Sequence, residues 1–320
     1  MLSYIARRLA RSAMTLFIIV TVVFCLLRLM PIEGYFNEFD KMTPTQIRVG
    51  LDKLELNKPL PRQLMLFYRR LFSGDLGVSN KYRVNYPAID IIREKAPLSL
   101  KIGLASVSLA LIAGLPLGIA MARSASTKSR LFDRFGMLFV VLIQAVPAAV
   151  YHLFIQMYGT GFIGRFINIS TLFSELRPIT WILPVFSLSL FNISYYALWL
   201  RRYMVDESNR DYVMLARAKG VPSGEISRRH IFRNAMVPIV QYIPTSVVLT
   251  LMGSIYVESL YSIPGMGGLL VDVIKRQDNS MVQALVLVYT AVSILGLLLG
   301  DIAMAMADPR ISLAGKKGAR

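Results

Sequence analysis

The chain has a single cysteine, Cys25, in 320 residues. One thiol inside an apolar run closes no intrachain disulfide and builds no metal site, so Cys25 reads as a small apolar filler. Ionisable groups are few in and beside the long apolar runs, where His152 lies inside one and Glu258 and Asp301 border two others. A lone histidine relays no protons, so His152 is expected to be a neutral ring bonded to a neighbouring helix. Glu258 and Asp301 fall near the ends of their runs, where water is expected to reach them. No paired carboxylates, metal-ligand cluster or Ser/His/Asp arrangement occurs at depth. That scarcity argues against a membrane enzyme, with no catalytic residue to nominate, and against a transporter driven by an ion gradient. A phosphate-binding loop is missing as well. It requires Gly, four residues, then Gly-Lys-Ser/Thr after a strand. Gly315-Lys316 is followed by Lys317, and Gly265-Met266-Gly267-Gly268 lacks the lysine and reads as a turn. Any ATP chemistry must be supplied by another chain.

Acids are scarce too, at 19 against 36 Lys and Arg, for a formal charge of +17. With 55% hydrophobic residues, this is the composition of a membrane protein. Uncharged runs cover residues 12–27, 102–122, 135–164, 178–200, 234–257 and 279–300. A spanning helix needs about 20 residues, and the runs predict six spanning helices. The third run is longer than needed and is expected to leave the membrane near Tyr158. Nineteen of the basic residues and only six acids lie in the N-terminal segment, 123–134, 201–233 and the tail from Asp308. Those segments are expected inside by the positive-inside rule, which puts both termini in the cytoplasm. The charge then faces anionic lipid rather than nucleic acid.

The division expected is a first spanning helix at 1–30, with Arg28 snorkelling outward, an external segment at 31–97, five helices at 98–307 and a tail at 308–320. A cleaved leader is the alternative for the first run, but no small-residue cleavage site follows it. Residues 45–54 and 63–72 of the external segment predict amphipathic helices, the second with Leu64, Phe67, Tyr68 and Leu71 on one face. Pro59 and Pro61 separate the two. Trp181 and Trp199 suit the aromatic belts. Pro116, Pro147, Pro184 and Pro244 are expected to interrupt helices. Gln144, Asn192, Gln241 and Glu258 are candidates to line a path, with interhelical hydrogen bonding the other reading.

The polar stretch 201–233 carries eight basic residues against four acids. Helix-forming residues without Pro or Gly run over 206–219, and Gly220 with Pro222 supplies the chemistry of a helix stop. A second short helix is expected over 223–233. Two short helices meeting at a glycine would form a knob able to receive force from a soluble partner.

Asp211-Tyr212-Val213, Ala216-Arg217-Ala218-Lys219-Gly220, Ile226, His230 and Arg233-Asn234-Ala235 with Pro238 resemble the cytoplasmic coupling loop of peptide-type permeases, the membrane subunits of binding-protein-dependent ABC importers. Ala216-Arg217-Ala218 stands where the wider family has Glu-Ala-Ala. Leu56 to Leu60, Phe72 to Gly77, Glu258 with Tyr261 and Pro264-Gly265-Met266-Gly267, and Asp308-Pro309-Arg310 resemble the family elsewhere, so the likeness runs from Arg7 to Arg310. It implies an all-α type I ABC importer transmembrane fold in a cell membrane. It also implies a second homologous permease, two ATPase subunits holding ATP and Mg, and an external substrate-binding protein, with no cofactor on this chain. The family form serves peptides, and also oligosaccharides and nickel complexes. Two external stretches depart from it, Pro31-Ile32-Glu33-Gly34 and residues 158–177.

Overall fold

The computed structural model describes residues 2–127, 129–167, 172–251 and 255–307. The tail with Asp308-Pro309-Arg310 and Lys128 of the 123–134 segment lie outside the described residues.

Among the described residues, four unbroken helices are long and apolar enough to cross a membrane, and two bent pairs bring the number to as many as six. The first, α1 (Leu2–Arg28), leads into a polar segment with α2 (Pro44–Lys53) and α3 (Leu60–Phe72). Thr43 caps α2 through a reciprocal bond pattern with Gln46, which satisfies two of the amides a helix start leaves open. The apolar face of α3 lies on α1, with Phe67 against Phe24 and Tyr68 stacked on Phe17 and bonded to Thr21 at 2.7 Å. Arg28 does not simply reach outward. Its guanidinium lies over the rings of Phe24 and Tyr35, 4.7 and 5.1 Å from their centroids, a cation–π enclosure.

A two-stranded hairpin, β1 (Val78–Ser79) and β2 (Tyr86–Pro87), pairs Val78 with Pro87 and Ser79 with Tyr86. It feeds α4 (Ala88–Ala125) directly, so the boundary expected at 97/98 lies inside one continuous helix. Next come α5 (Leu131–Ala145), α6 (Ala148–Ile167) and α7 (Ile182–Ser208), then the short α8 (Asp211–Ala218) and α9 (Ser223–Glu225). A π-helical turn over Ile226–Phe232 passes into α10 (Arg233–Leu251), followed by α11 (Ile255–Tyr261), α12 (Met266–Lys275) and α13 (Asn279–Ala307).

Three expectations are corrected here. The third apolar run is no straight span: α5 and α6 meet at Val146-Pro147 with a bend of 106°. Pro147 cannot donate to a helix ladder, which fits the break. Pro116 and Pro244, by contrast, sit within α4 and α10, and Pro184 lies in the first turns of α7, where a missing amide costs least. In the polar stretch, α7 runs on to Ser208 and only then breaks, so 206–219 is not one helix. The second expected helix is no separate unit either, because it is the start of the long element that becomes α10.

The most extensive packing is between α4 and α7. Gly114 and Gly118, four apart, make it possible. A Cβ on Gly114 would lie 2.9 Å from the Ile193 carbonyl oxygen, and one on Gly118 would lie 2.8 Å from that of Ala197. Small residues at this spacing let two membrane helices approach backbone to backbone. Beside that seam, the fully buried Tyr196 bonds Ser246 of α10 at 2.6 Å, which ties α10 to the same core.

Candidate functional site

The site is built at the break between α7 and α10. Ser208 and Asn209 end α7 by bonding back to the Val205 carbonyl oxygen at 2.7 and 3.1 Å. Arg210 is extended, and α8 starts with Asp211 in its first turn and has Arg217 in its last, each sign suited to the helix dipole. Gly220 has φ +77°, a region that β-carbon sterics reserve largely for glycine. Its amide bonds the Arg217 carbonyl at 3.0 Å while the Val221 amide reaches Ala216 at 3.2 Å. That pair of bonds is the glycine-closed helix end known as the Schellman motif. Pro222 then opens the next helix, its carbonyl taking the amides of Glu225 and Ile226 at 3.0 Å each.

One side of α8 is anchored. Val213, Ala216 and Ile226 are buried in the core shared with α7 and α10. The Tyr212 hydroxyl donates to Glu207 and accepts from Asn234 Nδ2 at 2.9 Å, and its ring lies against His230. Burial, reinforced by the Glu207 carboxylate, holds the Tyr212 phenol above its ordinary pKa, so it remains a proton donor at physiological pH. Four elements thus meet at one tyrosine: the end of α7, α8, the π turn and the start of α10. The other side of α8 faces outward. Asp211, Arg217, Ala218, Lys219, Gly220, Arg233 and Asn234 are exposed, and Met214 and Leu215 are exposed at 54% and 57%. Of the residues expected to couple, the structure therefore joins Tyr212, Ala216, Ile226, His230 and Asn234, and spreads the rest over a surface.

The candidate path residues do not converge. Glu258 is buried, contrary to the hydrated position expected. Its carboxylate accepts from Ser99 Oγ at 2.8 Å and from the Gly268 amide at 2.9 Å, and Ser99 Oγ takes the Met266 amide at 2.8 Å. It serves to fold the Pro264–Gly268 turn against α4. Asp301 is buried as well, paired with Arg8 of α1 and bonded by Gln241 Nε2 at 3.2 Å. Asn192 is buried in α7, and Gln144 is exposed with Ser194 Oγ at 3.5 Å. His152 is buried on α6 with Nδ1 unpartnered among the described residues, so the expected interhelical bond is not made at that atom.

Sequence reasoning missed a second polar centre, on the opposite face. Asp278 is fully buried. Its Oδ2 accepts from Ser79 Oγ at 2.6 Å and from the amides of Asn80, Lys81 and Tyr82 at 3.0, 2.9 and 3.0 Å. Its Oδ1 caps α13 through the Met281 amide at 3.1 Å. Successive amides aimed at one anion form a nest. The available signal was an Asp at the head of an apolar run, ordinary capping chemistry; its partners 199 residues away left none. Asp133 of α5, held by Arg201 with Nη2 to Oδ2 at 2.7 Å, was missed in the same way.

Comparison with known proteins identifies the family. Residues 114–313 match the family described as binding-protein-dependent transport system inner membrane component. The dipeptide transport system permease protein of Lactococcus lactis is 34% identical over 317 residues, covering 98% of this chain and all of the relative. The oligopeptide transport system permease protein of Haemophilus influenzae is 30% identical over 313 residues, 97% of this chain and 99% of its own length. An oligopeptide permease of Streptococcus pneumoniae is 39% identical over 219 residues, 68% of this chain and 42% of the relative. A match across α4 to α13, joined to full-length relatives, settles the family: the chain is a multi-pass membrane protein that belongs to the inner membrane components of binding-protein-dependent transport systems.

Proposed function

We propose that this chain is a permease subunit of an ATP-driven ABC importer of peptides, with six spans and both termini in the cytoplasm. It pairs with a second permease around a shared pathway, receives peptide from an external binding protein, and is driven by two ATPase subunits that hold ATP and Mg. The observation that carries the reading is α8. It is a short helix with one side locked to the membrane core and Met214 and Leu215 bare on the other. Exposed apolar groups on an anchored, basic knob suit a soluble protein groove. Closure of the ATPase pair would press on α8 and reach α7 and α10 through Tyr212 and the buried Val213. The peptide assignment leans on the relatives, which are named for dipeptide and oligopeptide transport.

Capture of the tagged chain from its native membrane in mild detergent, with mass spectrometry of what accompanies it, tests this. Recovery of two nucleotide-binding chains and a second permease supports the reading. Recovery of the chain alone, transporting in vesicles without ATP, overturns it. Gly220→Val tests the knob itself. Valine at φ +77° is strained, by about 1–2 kcal/mol, while the space around Gly220 is open, so the loss is conformational and not a clash. ATP-driven uptake should fall roughly tenfold with membrane insertion unchanged; normal uptake would remove Gly220 from the mechanism.

A further inference from the structure

Two adjoining cavities of about 570 and 650 Å³ open beside α8, between the end of α4, the end of α7 and the π turn. They share Arg123 and Met204, and so form one groove. Arg228 and Arg229 line one part and Arg217 the other. The acid there, Glu225, is already bonded to Arg229 at 2.8 Å. Arg123, Arg217 and Arg228 form no salt bridge among the described residues and are exposed. The groove is therefore a cluster of unneutralised guanidinium groups, the side chain best shaped for phosphate oxygens. Its floor is apolar, with Met204, Ile226 and Ile231 buried. Gly224 on the wall faces open space.

Depth decides which phosphate. Trp199 of α7, with Arg202 stacked 5.0 Å from its ring, has the character of a belt residue at the membrane interface. Met204 lies five residues further along, about 7.5 Å at the helical rise, which is the headgroup layer outside a hydrocarbon core of about 30 Å. We infer that this groove binds the phosphate headgroup of an anionic phospholipid from the inner leaflet, with Arg123 and Arg228 as its principal ligands and the glycerol end over Met204. The inference rests on the orientation proposed above, since the inner leaflet is the anionic one. It makes the lipid a neighbour of α8: the groove has the π turn as one wall, so an occupied groove holds α4 against the segment that carries the knob.

The test uses the assembly captured with the tagged chain, exchanged into detergent and examined by native mass spectrometry after addition of phosphatidylglycerol or phosphatidylcholine. Wild type should retain phosphatidylglycerol through washing and not phosphatidylcholine. Arg123→Gln with Arg228→Gln should weaken retention about tenfold to thirtyfold, from two lost headgroup contacts, and Lys at both positions should restore most of it. Equal retention by wild type and the Gln pair overturns the site. Displacement of the lipid by millimolar inorganic phosphate makes it a free-anion site and overturns the lipid assignment. Loss of the ATPase chains from the Gln pair with lipid retention unchanged assigns these arginines to the subunit interface instead. An assembly without ATPase chains that still retains lipid through these arginines leaves this inference standing while the transport reading falls.

Discussion

Replacing Asp278 with alanine should release the turn at residues 79–82 and uncap α13 in one step. The side chain accepts five hydrogen bonds, one from a hydroxyl and four from backbone amides. A single bond to a charged group is worth about 1.5–3 kcal/mol. Five do not add, because water reaches the opened turn, and a loss of about 3–5 kcal/mol is expected. Hydrogen exchange reads it locally. The amides of Asn80, Lys81, Tyr82 and Met281 should exchange at least a hundredfold faster, while those of α7 stay protected. Asp278→Asn keeps the shape but turns a donor toward donors, so it should recover little. Slow exchange at 80–82 in the alanine variant would show that Asn80 Nδ2 to Ser280 Oγ, at 2.8 Å, and the stack of Arg276 on Tyr82 hold the turn without the carboxylate.

The second large effect is expected at Gly118. Leucine there would drive its Cβ to 2.8 Å from the Ala197 carbonyl oxygen and 3.1 Å from the Leu200 Cβ. The obstruction is backbone, so no rotamer change relieves it and α4 must move off α7. Overpacking of this kind costs about 1–3 kcal/mol, and more when backbone must shift. Gly118→Leu should lower the thermal midpoint of the detergent-solubilised assembly by several degrees, with Gly118→Ala between the two. A Leu variant that melts like wild type would mean the α4–α7 seam is not the tightest part of the core.

How much of this was legible in the sequence follows the range of the interactions. Local signals read well. The amphipathic helices at 45–54 and 63–72 sit close to α2 and α3, and Gly220 with Pro222 marked the helix end where the Schellman bonds lie. The candidate coupling residues could be nominated because their order along the chain is itself a signal. The break at Asn209-Arg210 was missed because nothing in residues 206–219 forbids a helix. In the structure Arg210 is exposed and Val213, three residues on, is buried in the core. Glu258 and Asp301 looked wet because depth was judged from the ends of the apolar runs. Their partners Ser99 and Arg8, 159 and 293 residues away, carry no mark in sequence. Gly114 and Gly118 were legible in principle, but a four-residue spacing of glycines does not say which helix they will meet.

The anchoring of the turn at residues 79–82 by Asp278 also sets an order of events during synthesis. Ser79 leaves the ribosome 199 residues ahead of the carboxylate that receives its hydroxyl. At about 5–20 residues per second, that interval is roughly 10–40 s. Through it the amides of residues 80–82 have only water to bond, since the other half of their site has not been made. This turn is completed late, by the residue that heads α13, and a chain stalled before Asp278 would carry residues 79–82 without the contact that closes them.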